Sequence, residues 1–117
     1  MKQQLTTINI LGTTYTILKR SQHETPKMES AAGLCENYSH EIYIDTDKEN
    51  YKEPPECFNT YLHKILRHEA FHALFYECGM NKYSEDEDLV EALAILYPKL
   101  KVIMTALDAL EIEKIGG

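Results

Sequence analysis

The chain lacks the positive charge to coat a phosphate backbone, any stretch apolar enough to cross a bilayer, and any two cysteines close enough to chelate an ion. Twelve Lys and Arg stand against 19 Asp and Glu, for a net charge of −7. Nucleic-acid binding needs clustered cations that displace counterions, so a nucleic-acid partner is not expected. No run approaches the roughly 18 to 20 apolar residues of a spanning helix, so neither is a membrane. The first residues, "MKQQLTTINILGTTY", hold one Lys and then polar-interrupted sequence. They lack the charged segment and continuous apolar segment of an export signal, which predicts a cytoplasmic protein. Cys35, Cys57 and Cys78 lie 22 and 21 residues apart, with no CxxC pair. An odd count at such spacing fits reduced thiols and disfavours both a disulfide framework and a thiolate metal site.

What is present is a globular composition, 44% apolar and 26% charged over 117 residues. That length suits one domain, residues 1–117, with a single core. "TTINIL" and "YTIL", between Thr6 and Leu18, are rich in β-branched residues and break at Gly12, which predicts a hairpin. Lys19–Ala32 has no period and contains Pro26, as a loop would. Gly33–Asp45, "GLCENYSHEIYID", predicts a second hairpin turning near Asn37–His40. Pro54 and Pro55 suit the start of a helix, which should run from about Glu56 to Cys78 and stop at Gly79. Ser84 followed by Glu87 fits a capping box opening a second helix, which Pro98 must kink or divide. Beyond it Leu100, Ile103, Leu107 and Leu110 form one apolar face, expected to pack on the domain's own core, with a homodimer interface as the alternative.

The first long helix carries "RHEAFHAL". At about 100° per residue, Phe58, Leu62, Ile65, Leu66, Ala73 and Tyr76 share a face, and Glu69 and His72 fall among them. Buried polar groups without partners are costly, so something must satisfy these two. His68 lies one turn before His72, about 6 Å along the axis, so both rings can converge on one point beside the helix. A Zn²⁺ ion there would take both imidazoles as ligands. Glu69, rotated by one residue, would sit beside the ion and accept a proton from water activated by it. These are the mechanics of HExxH on a helix. The competing reading is a polar core in which the histidines bond to Glu69 and nearby backbone.

A catalytic zinc normally has three protein ligands. The second helix offers Glu87 and Glu91, four residues apart on one face, in "SEDEDLVEALA". Periodicity does not choose between them. The rest of the acidic run, Glu85 and Asp86, suits a solvated helix N-terminus.

With "HEAFHALFYECGM", "DEDLVEALAILYPKL" and the weaker "GLCENYSHEIYID", the sequence resembles the small zincin-like metallopeptidases of phages and mobile elements. These are related to the ImmA/IrrE group and the gluzincins, and the resemblance runs from about Ile8 to Leu100. It implies a minimal α+β zincin-like fold: two hairpins packed as a small sheet on the HExxH helix, a second ligand-bearing helix and a C-terminal helix. In the gluzincin pattern a following NExxxD motif supplies the third zinc ligand. Matched here, Glu87 becomes that ligand and Glu91 the outer carboxylate that supports a histidine. Asp86 departs from Asn and Glu91 from Asp, and the longer Glu91 stays open as the alternative ligand. The resemblance also implies an edge strand for a peptide substrate, with Ile42–Ile44 as candidate, and Tyr83 as candidate oxyanion stabiliser.

The expected activity is zinc-dependent hydrolysis of a peptide bond, in a protein or peptide substrate such as a repressor or regulator, by a monomer or homodimer. The alternative is a zincin-like metal-binding protein that acts as a protein-interaction module without cutting. His23, His40 and His63 have no motif context and are expected to be solvated.

Overall fold

β-branched sequence on both sides of a tight turn folds the first two elements together. β1 (Gln3–Ile10) and β2 (Thr13–Lys19) pair antiparallel from Gln3↔Lys19 to Ile10↔Thr13. Leu11 and Gly12 form the turn with φ of 51° and 93°, the pair of positive angles that matches the twist of the flanking strands. The computed structural model describes residues 3–24, 28 and 32–115, and the hairpin begins three residues before the expected Thr6.

β3 (Gly33–Glu36) and β4 (Glu41–Ile44) form the second hairpin, as expected. β4 also pairs in parallel with β2, from Thr16↔Glu41 to Lys19↔Ile44, giving the order β1-β2-β4-β3. A parallel pair needs a crossover, and the stretch expected as a loop, 19–32, supplies it. Residues 25–27 and 29–31 of that stretch lie outside the described residues. One expectation is overturned here. Ile42–Ile44 is not an edge strand, because β4 has a neighbour on each side, and the edge beside the helix is β3.

Side chains alternate across the sheet, so each strand feeds two cores. Tyr15, Ile17, Cys35 and Ile42 pack with Ile10, Leu66 and Ala73 on one face. Leu18, Leu34 and Tyr43 close over Met28 on the other. Asp45, just after β4, is 1% exposed and fully engaged. It accepts from the backbone N–H groups of Gln22 and Asp47, both at 3.0 Å, and from the Asn50 amide at 2.9 Å, tying the crossover to the turn at Lys48–Asn50.

α1 (Phe58–Glu77) begins three residues after Pro55. It ends as expected at Gly79, whose φ of 78° lets its N–H reach the Tyr76 carbonyl while Met80 N–H reaches Phe75. α2 (Asn81–Ser84) is one turn, and α3 (Glu87–Asp108) follows. The expected capping box is absent: Asp86, not Ser84, caps α3, accepting from Leu89 N–H at 3.0 Å. Ser84 ends α2 instead and is buried against α1.

Pro98 does not divide α3, which continues through it. Proline has no N–H for the carbonyl four residues back, and Arg67 from α1 takes that acceptor, donating from Nε to Ala94 O at 2.8 Å. The expected C-terminal helix is therefore the far half of α3, followed by the single turn α4 (Ile112–Ile115). Its apolar face does not pack on the core, since no residue of α3 beyond Ala94 is buried. No helix of the described residues is long and apolar enough to cross a membrane.

Candidate metal centre

α1 packs on the sheet through Leu66 and Ala73, which turns the neighbouring stripe, His68, Glu69 and His72, toward the gap between β3 and the start of α3. In that gap the structure brings together His68, His72 and Glu87, with one ligand atom from each lying within 4.8 Å of the others. Glu87 Oε2 is 3.1 Å from His68 Nε2, Glu87 Oε1 is 3.0 Å from His72 Nε2, and the two Nε2 atoms are 3.2 Å apart. A tetrahedral ion with bonds of 2.0–2.1 Å separates its ligand atoms by about 3.3 Å, close to the 3.2 Å between the two Nε2 atoms and to the distance from each of them to an oxygen of the Glu87 carboxylate.

The other ring nitrogens explain why these atoms converge. The Ser84 carbonyl lies 2.5 Å from His72 Nδ1 and can only accept, so Nδ1 carries the proton. Glu91 Oε1 is 2.9 Å from His68 Nδ1, and its Oε2 pairs with Lys64 Nζ at 2.9 Å. Each Nδ1 thus donates outward, and in the neutral ring Nε2 presents its lone pair to the common point. Two lone pairs and a carboxylate facing one another repel unless a cation lies between them. The donor set of two imidazoles and a carboxylate is that of a catalytic zinc site, and the residues fit the ion.

Glu87 and Glu91, between which the sequence does not choose, take different places around the histidines. Glu87 is in the cluster at the Nε2 side, whereas Glu91 sits behind His68 at Nδ1. Burial pulls the Glu91 carboxyl up, but the hydrogen bonds and charges of Lys64 and His68 together outweigh it and hold the carboxyl below its ordinary value.

Glu69 is 8% exposed and borders the same cleft, of about 610 Å³. Burial pushes its carboxyl up to about 7, a displacement that His68 opposes and Glu87 and Glu91 reinforce. The wall above it is the backbone of Gly33: a Cβ there would lie 2.7 Å from Ile65 Cγ2 and 3.1 Å from Glu69 Oε2. Cys35 and Asn37 continue this wall. The Cys35 thiol donates to Asn37 Oδ1 at 3.2 Å, and burial pushes its pKa up to about 12, with help from Glu69. All three cysteines are free.

Comparison with protein-family models, with curated proteins and with solved structures finds no match to this chain. The site's own geometry therefore carries the functional argument.

Tyr83 is not among the residues bordering the cleft; its ring packs against Phe75 with centroids 5.9 Å apart. His23, His40 and His63 are exposed and belong to no metal-ligating group among the described residues. Sequence reasoning missed Lys64, Ser84 and Gly33. Lys64 lies four residues before His68, one turn back on the same face, and that spacing could have exposed it. Ser84 carried a cap signature that drew attention to its hydroxyl, while its carbonyl holds His72 and its hydroxyl donates to His72 O at 2.9 Å.

Proposed function

We propose that the protein is a zinc-dependent peptidase, with His68, His72 and Glu87 as metal ligands and Glu69 as the proton carrier. The observation that carries this reading is the convergence of three ligand atoms within 4.8 Å in a cleft that Glu69 borders. Zinc held there supplies Lewis acidity, lowering the pKa of water and polarising a carbonyl. Glu69 takes the proton from the attacking water and passes it to the leaving amine. Glu91 and the Ser84 carbonyl fix the two rings, and Lys64 fixes Glu91. β3, the sheet edge at the cleft, offers backbone groups to an extended peptide, whose scissile bond would then lie over α1. A repressor or regulator is the kind of substrate that the resemblance to the ImmA/IrrE group suggests.

The experiment is peptide-library hydrolysis by zinc-loaded wild type and Glu69→Gln. Cleavage by the wild type, lost in a variant that still holds zinc, is expected. Equal cleavage by both would remove Glu69 from the mechanism. Tyr83, packed outside the cleft, favours a second reading: a zincin-like centre that binds metal and a protein partner without cutting. Zinc loading with no hydrolysis across the library would support it.

A further inference from the structure

The far half of α3 is bare, yet its sequence is not that of a solvated helix. Leu96, Leu100, Ile103 and Leu107 recur at spacings of four, three and four. With Tyr97 and Met104 they fill one arc of about 120° at 100° per residue, the width of a face made to be covered. Leu96, Ile103 and Leu107 are 45%, 52% and 53% exposed. Five large side chains about half uncovered, with Leu100 partly so, amount to an apolar stripe on the order of 500 Å², at the upper end of what a monomer leaves open. The molecule is long in consequence, 60 × 34 × 26 Å with a radius of gyration of 16.8 Å. A compact domain of this length has about 13 Å.

The charges beside the stripe indicate what covers it. Lys101 and Asp108 lie seven residues apart along one edge, next to Tyr97 and Met104, and Lys99 lies across the stripe on the other. Two copies laid antiparallel about a twofold axis near Ile103 and Met104 bring matching edges together. Leu100 then meets Leu107 of the second copy and Lys101 meets Asp108, each pair occurring twice, while Ile103 and Met104 each lie close to their own counterpart across the axis. A parallel pairing brings opposite edges together, sets Lys101 beside the edge that carries Lys99, and loses the match.

We propose that residues 96–108 of α3 form the interface of an antiparallel homodimer. Its size, about 1,000 Å² over both copies, lies at the low end for specific interfaces and fits micromolar association. Glu87 lies about 20 Å along α3 from Leu100, so the cleft stays open in the dimer.

Sedimentation equilibrium on the whole chain, from micromolar to hundreds of micromolar, tests the proposal. Wild type is expected to show a reversible monomer–dimer equilibrium. Ile103→Glu/Leu107→Glu should be monomeric with unchanged helical circular dichroism, since both side chains stand clear of the core. Lys101→Asp or Asp108→Lys alone should weaken the dimer by roughly 3- to 10-fold, and the two together should restore it. Wild type monomeric throughout, or a dimer that survives Ile103→Glu/Leu107→Glu, would overturn the interface. Failure of the double charge reversal to restore association would overturn the antiparallel arrangement.

Discussion

His72 is held by one residue in two ways: the Ser84 carbonyl accepts from its ring, and the Ser84 hydroxyl donates to its backbone carbonyl. His68 is held by Glu91, itself anchored by Lys64. Supporting partners of this kind typically change metal affinity by 10- to 100-fold, whereas losing a ligand leaves the site incomplete. Glu91→Ala should therefore weaken zinc binding by about that factor and keep a one-to-one complex in a titration with a competing chelator; Glu87→Ala should abolish tight binding. Gly33 acts through space, not chemistry. Gly33→Val puts side-chain atoms against Ile65 and Glu69, so turnover should fall while zinc affinity is kept. Equal loss of both would show a general collapse of the wall. HEAFH was legible in the sequence because the two histidines and the glutamate of the cleft share one short stretch of helix. The third member of the cluster was not, since the choice between Glu87 and Glu91 depends on which nitrogen of His68 each one faces, and that is set by how α3 crosses α1.

Elements are joined by polar groups that a hydrophobic pattern does not reveal. Arg67 answers the carbonyl that Pro98 leaves unpaired at Ala94. Arg67→Met should cost about 1 kcal/mol in urea unfolding, and less in a Pro98→Ala background, where the helix satisfies its own carbonyl. Additive losses would mean that the two residues are not coupled. Asp45 holds the crossover to the turn after β4. Burial pulls its carboxyl up, but bonds from Gln22, Asp47 and Asn50 outweigh this and hold it below the ordinary value of 3.8. A folded pKa below the unfolded one means that its stabilisation is complete above the unfolded value and fades as pH falls through the folded one. The acid-side drop in melting temperature should thus be shallower in Asp45→Asn, which should also be less stable at neutral pH. Both hairpins and α1 were legible because turn residues and apolar period agree along the chain. The parallel pairing of β2 with β4 was not, because nothing within a strand states which non-adjacent strand lies beside it. The capping box failed because Ser84 and Asp86 both suit a helix start, and the burial of Ser84 against α1 decided between them.

On the scale of the molecule, a small sheet and α1 form the body, α3 closes the cleft with its first turn, and its second half extends beyond the core. The apolar period along that half was visible in the sequence, but the absence of a covering surface among the described residues was not. The cluster at His68, His72 and Glu87 joins α1 to α3, so an ion bound there ties together the two longest helices. Binding to the folded state alone stabilises by about 2.7 kcal/mol at a hundredfold excess over the dissociation constant. Removing zinc with a chelator should accordingly lower the melting temperature by on the order of 10 °C. The most direct test of the central claim is the zinc content, by elemental analysis, of protein purified without an affinity tag or chelator, for wild type and Glu87→Ala side by side. The account predicts one zinc per chain in the wild type and none in Glu87→Ala. A folded wild type that carries no zinc and takes up none when offered it would contradict the account and leave "RHEAFHAL" as a polar seam between two helices.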